Sequence, residues 1–194
     1  MTRVAAVAGN TFREAMRDKV LYVLLVFAAA AIFGSKALGW ISVGQDIKVV
    51  KDIALASISV FGVLISIFVG TSLLYKEIDK RTIYTIVSRP IYRCEFVLGK
   101  YLGLAAVLAL VTAAMTLAAA GYVVILGGYV TAAFLWAAAL SYCELLLITS
   151  FAVLLSSLTS PILGALIVFC IYVGGHATGI LTDLPPQFDG TWAK

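Results

Sequence analysis

Charge is scarce in this chain: 12% of its 194 residues are Asp, Glu, Lys or Arg, whereas 62% are hydrophobic. With a mean hydropathy of +1.06, that balance excludes an ordinary soluble domain. Histidine occurs once, at His176, and cysteine three times, at Cys94, Cys143 and Cys170. One imidazole cannot build a metal site, and the cysteine spacing matches neither a zinc knuckle nor a redox pair. Cys143 and Cys170 fall in apolar runs and read as small packing residues; Cys94 faces a reducing compartment, against a structural disulfide. No Walker phosphate loop, dinucleotide glycine fingerprint or HExxH is present, and no polar segment is long enough for a soluble catalytic core. The net charge of +4 comes without a basic stripe of interleaved aromatics, so nucleic acid is not an expected partner.

What the chain does have is apolar length. A membrane-spanning helix needs about 20 mainly apolar residues, because ~1.5 Å per residue must cross a hydrocarbon core of about 30 Å. Five runs qualify, at about 20–43, 53–75, 101–126, 130–155 and 162–181. These predict an all-α integral membrane protein with one transmembrane domain over 1–194. Lys36 lies near the outer end of the first run, where a lysine stem can snorkel. A cleaved signal peptide is the rival reading of that run, but Glu14 and Asp18 precede it in a patterned segment unlike a short basic leader.

Residues 1–19 carry that pattern. Val4, Val7, Ala8, Thr11, Phe12, Ala15 and Met16 recur at helical spacing, while Arg3, Asn10, Arg13, Glu14 and Arg17 take the other face. The segment reads as an amphipathic interfacial helix, its apolar stripe at the acyl boundary and its arginines near anionic lipid headgroups. Lysine and arginine near spans stay cytoplasmic. An N-terminus inside puts ten of the fourteen basic residues there and leaves Lys36, Lys48, Lys51 and Lys194 outside. Gly127–Tyr129 is then a tight outer turn, SSLTSP (156–161) a short inner connection and 182–194 an extracytoplasmic tail.

The segment 76–100, KEIDKRTIYTIVSRPIYRCEFVLGK, interrupts the apolar chain. It holds six of the basic residues and three of the ten acids, and it must meet something in the cytoplasm. Ile78, Thr82, Ile83, Ile86 and Val87 form an apolar face at helical spacing, predicting a short helix on the membrane surface. Pro90 removes a backbone donor and disfavours helix at Arg89, so the chain turns there and a new helix starts. That helix carries Arg93, Glu95 and Lys100 before it becomes apolar, so the third span projects into the cytoplasm.

With Lys76, Glu77, Thr82, Val87, Ser88, Pro90, Arg93, Gly99 and Lys100 in this order, the chain resembles the permease subunits of type-2 ATP-binding-cassette (ABC-2) transporters. It is most similar to their small nitrous-oxide-operon and gliding-motility-like branch. Asn10, Phe12, Arg13 and Glu14, the SSLTSP connection and Gly175-His176 strengthen the likeness. The resemblance implies a non-enzymatic transport subunit of a bacterial inner membrane, most simply an exporter. It implies a dimer with a second permease copy, identical or related, docking cytoplasmic ATPase subunits that themselves hold ATP and magnesium; the permease binds no cofactor directly. Glu77, Ile78, Thr82, Ile83, Ile86, Ser88, Pro90, Arg93 and Lys100 would form the coupling element, with Phe12, Arg13 and Arg17 on a connecting helix beside it. The apolar ridge suits a groove on a partner and the charges suit its register. The family norm is six spans; with five here and the sixth absent, the chain is expected to be a truncated product, the other reading being a short variant completed by a partner.

Glu144, in the fourth span, is the one acid inside an apolar run, and intramembrane ionisable residues are functional candidates by default. Either it bonds a neighbouring helix through groups such as Ser141, Tyr142 or Thr149, or it serves a substrate or proton path. His176 reads as a packing or gating residue at a flexible helix end, about half a membrane from Glu144. Ser57, Ser59, Ser66, Thr71 and Ser72 are candidates to line a polar path, and the four-residue pairs Ser66/Gly70 and Gly99/Gly103 permit close helix contact. Three classes of function remain open: an exporter permease, a membrane anchor that transmits ATPase motion without a path of its own, and an intramembrane enzyme using Glu144 and His176.

Overall fold

The computed structural model describes the backbone of residues 2–39, 46–79 and 93–183 and the side chains of 4–37, 46–71 and 94–177. It is all-α, with no strand among the described residues. The helices are α1 (Thr2–Met16), α2 (Lys19–Gly39), α3 (Asp46–Asp79), α4 (Arg93–Ile125), α5 (Ala132–Leu158) and α6 (Pro161–Asp183). Each predicted apolar run falls on one of α2 to α6. Four of these helices, α2 to α5, are long and apolar enough to cross a membrane, and α6 adds a shorter apolar stretch, Pro161–Ala177. In lipid a helix is the natural solution, since it satisfies its backbone polar groups internally.

Local chemistry marks the joints. Asp18 Oδ1 accepts from Val20 N at 3.0 Å and caps α2. At the end of α4, Gly127 takes φ +80°; its N–H reaches Val124 O at 3.0 Å and that of Gly128 reaches Val123 O at 2.9 Å. This left-handed cap needs glycine. Thr159 leaves α5 in extended geometry, and Pro161 opens α6 where a missing N–H does no harm.

α3 is the central helix, touching all five others. Its Ile58, Val63, Ile65 and Val69 are buried with Leu104, Val107, Leu108 and Val111 of α4 and Leu145 and Ala152 of α5. The outer surface is apolar as well: Phe27, Leu117, Trp136, Leu140 and Ile162 are exposed, as suits a protein whose solvent is lipid. Two features differ from the sequence reading. α3 begins at Asp46, so Lys48, Lys51 and Asp52 belong to the same helix as the second apolar run, which was expected to start at about 53. α6 runs through Gly174 and Gly175 to Asp183, so His176 is within a helix and not at its end.

Candidate functional site

α3 and α5 run parallel, and their contact is the most extensive in the bundle. Gly62 and Gly70 let it close: a Cβ on Gly62 would stand 2.6 Å from Leu145 Cδ1, and one on Gly70 3.4 Å from Ala152 Cβ. Polar side chains bridge the same seam at three levels. Ser59 Oγ donates to Glu144 Oε2 at 3.1 Å, Ser66 and Thr149 hydroxyls meet at 2.8 Å, and Ser156 Oγ donates to Thr71 O at 3.3 Å. Ser66, Thr71, Thr149 and Ser156 are buried. Apart from Ser59, the described residues of the proposed polar path therefore spend their hydrogen bonds on packing: Ser57 and Thr71 hydroxyls return to Ile53 O and Ile67 O.

The rung nearest the start of α3 gathers a cluster from three helices. Tyr172 Oη lies 3.3 Å from Ser59 Oγ, and His176 Nδ1 lies 3.7 Å from Glu144 Oε1. The Tyr172 and His176 rings are 4.6 Å apart, tilted by 43°. The expectation that Glu144 and His176 sit half a membrane apart is thus corrected. The two residues are near-equidistant from the α5–α6 turn, and the antiparallel hairpin brings them to one depth. The expected partners of Glu144 are corrected too: Thr149 bonds Ser66 and its own helix at Leu145 O, and Tyr142 Oη donates to Ala105 O at 3.1 Å.

Proximity does not make this a hydrolase triad. The hydroxyl of Ser59 is engaged by the carboxylate, whereas nucleophilic catalysis needs it on the imidazole. No group of three metal-ligating side chains occurs among the described residues. Cys94, Cys143 and Cys170 are free and exposed, so the last two are outward-facing and not packing residues of the core.

A second constellation lies at the foot of α4. α1 packs along it, with Thr11 and Ala15 buried and Val4, Val7, Ala8 and Phe12 half-buried. The contact is close because α4 presents Gly99 and Gly103. A Cβ on Gly99 would lie 2.8 Å from Val7 Cβ, and one on Gly103 2.7 Å from both Ala8 O and Thr11 Cβ. The apolar stripe assigned to the acyl boundary is therefore covered in large part by α4. The opposite face stays open: Arg13 and Arg17 are exposed and line, with Asn10, Glu14, Asp18 and Lys19, a cleft of about 700 Å³. Lys100 is only 2% exposed, its ammonium 5.2 Å from the centre of the Phe96 ring, which removes it from an outward contact surface. On the same helix, Glu95 Oε2 is buried without a hydrogen-bond partner.

Of the other island residues, Glu77 and Ile78 fall in the last turns of α3 and Arg93 begins α4. Thr82, Ile83, Ile86, Ser88 and Pro90 lie outside the described residues.

A family model described as ABC-2 family transporter protein matches residues 5–182, nearly the whole chain. The chain belongs to this family. It is accordingly a multi-pass membrane protein and a permease-type transport subunit. No curated protein matches it. Sequence reasoning missed Tyr172 and the pairing of Ser59 with Glu144; for Glu144 and His176 the available signal was their similar distance from the 159–160 connection between α5 and α6.

Proposed function

We propose that this chain is the permease subunit of an ABC exporter, driven by a separate cytoplasmic ATPase subunit that binds ATP and magnesium. The observation that best supports this is the way both flanks of the charged island continue as helix. α3 has 34 residues and α4 has 33, each about 50 Å long against a core of about 30 Å. Both extend beyond their apolar spans towards the island, and α1 braces the foot of α4. Motion of a partner bound at 76–100 then has stiff levers into the bundle.

The reading places the N-terminus and the island in the cytoplasm, by the distribution of basic residues, and the cleft around Arg13 and Arg17 at the headgroup level. Because the α3–α5 seam is closed by its own hydrogen bonds, the translocation path belongs between two copies of the permease, identical or related. An anchor that only transmits motion is the second reading, favoured by that same closed seam.

Copurification of the native chain with its ATPase tests coupling, followed by ATP-driven uptake into inverted vesicles. No associated ATPase activity refutes coupling; stimulated ATPase without transport favours the anchor.

A further inference from the structure

We propose that Ser59, Glu144, Tyr172 and His176 form a binding site for a lipophilic organic cation, open to the membrane-facing side of the bundle. This rests on the transport reading above and names its substrate class. Glu144 precedes the end of α5 by 14 residues, and His176 follows the start of α6 by 15. At ~1.5 Å per residue both lie about 21–22 Å from the turn that joins the helices, inside the span of a hydrocarbon core. The His176 side chain is nonetheless 57% exposed and that of Glu144 32%. Polar groups at such depth face water, a ligand or protein rather than lipid.

The direction of the protons defines what is wanting. Ser59 donates its only hydroxyl proton to Glu144 Oε2, so the contact between Ser59 Oγ and Tyr172 Oη is made with the tyrosine proton. The tyrosine proton thus points to Ser59 Oγ and the serine proton to the carboxyl. Oε1 is left with His176 Nδ1 at 3.7 Å, beyond hydrogen-bond length. His176 supplies positive charge at ion-pair distance when protonated; otherwise Oε1 offers an acceptor to an added cation.

Its walls suit a large, weakly hydrated cation. The Tyr172 and His176 rings, 4.6 Å apart, neighbour Ser59 and Glu144 respectively, and aromatic rings attract organic cations. Added Cβ atoms on Gly174 and Gly175 would meet nothing within 4 Å, so space opens alongside. Phe169 and Val173, exposed one turn apart on the same helix, continue the surface with apolar area for the body of such a molecule. The absence of a three-ligand cluster among the described residues disfavours a small metal cation.

The test uses the full chain in lipid nanodiscs without ATPase, so binding is read independently of coupling. Tetraphenylphosphonium binding is measured by equilibrium dialysis against protein-free nanodiscs, with tetraphenylborate as an anion of the same shape. Saturable binding of the cation and not of the anion is expected. Glu144→Gln should weaken it by about tenfold or more and Tyr172→Leu by about threefold or more, while Glu144→Asp, which keeps the charge, stays within about threefold of the parent. Leu117→Ala, on the exposed face of α4, should leave it unchanged. Equal binding by Glu144→Gln and parent, or equal binding of the borate, overturns the proposal. So does a parent that binds no cation while Glu144→Gln converts a dimer to a monomer, since the face would then belong to a second copy. Loss of ATPase copurification with cation binding intact would instead refute the transport reading alone.

Discussion

Replacing Gly103 with alanine should release α1 from the foot of α4. The new Cβ would stand 2.7 Å from Ala8 O and 2.7 Å from Thr11 Cβ, whereas comfortable heavy-atom contacts lie near ~3.5–4.0 Å. Both obstacles sit at or next to the α1 backbone, so no rotamer change relieves them and α1 must retreat by about 1 Å. Overpacking of this kind costs about 1–3 kcal/mol, which at ~1.4 kcal/mol per tenfold shifts the docked-to-undocked ratio by about 5- to 140-fold. Alanine also raises helix propensity by about 1 kcal/mol, but that gain belongs to α4 and does not hold α1. Once undocked, a helix of 15 residues is marginal by itself, so its amides open. Hydrogen exchange of the α1 amides from Val7 to Ala15 in nanodiscs should accelerate by the same factor. Gly121→Ala is the control, because a Cβ there meets nothing within 4 Å on the same helix. Unchanged α1 protection in Gly103→Ala, or equal acceleration in both variants, would refute the glycine cradle.

Three further outcomes follow from the same contacts. A double-mutant cycle of Ser66→Ala and Thr149→Val, read by unfolding in bicelles, should give a coupling of about 0.6 kcal/mol, with ~1.7 kcal/mol as the upper range for such bonds; zero coupling contradicts the 2.8 Å contact. Gly127→Ala, forced to φ +80°, should cost about 1–2 kcal/mol, and Gly127→Asn less; equal stability of all three proteins would count against the cap. Ile83→Asp, Glu77→Lys and Arg93→Glu should each lower ATPase copurification without changing membrane insertion, and full retention in all three would remove 76–100 from the docking surface.

Much of the architecture was legible because lipid leaves few choices. A backbone out of water must bond to itself, so length and apolarity alone placed helices near 20–43, 53–75, 101–126, 130–155 and 162–181. Glycine at 127 and proline at 161 marked the joints by what their backbones permit. The order Lys76-Glu77, Thr82, Ser88, Pro90, Arg93, Gly99-Lys100 pointed to the family that the match over 5–182 then showed.

Facing was not legible, and the reason is the solvent. Lipid tails and a protein core are equally apolar, so hydropathy cannot separate the outward Cys143 and Cys170 from the inward Leu145 and Val168. The α1 stripe posed the same ambiguity, because an apolar face suits acyl chains and the Gly99–Gly103 groove alike. Depth failed for another reason: a hydropathy window blurs helix ends by several residues, enough to separate Glu144 and His176 on paper.

The sequence by itself determined that this chain lives in a membrane, how its helices are spaced and which family it joins, since these depend on composition and local order. Tertiary structure alone decided that Ser59 meets Glu144, that His176 comes beside them and that Lys100 is buried. Those facts depend on the register and facing of parallel and antiparallel helices, which close contacts at a few glycines set; the Gly99/Gly103 and Ser66/Gly70 spacings marked such contacts but not the helices that fill them.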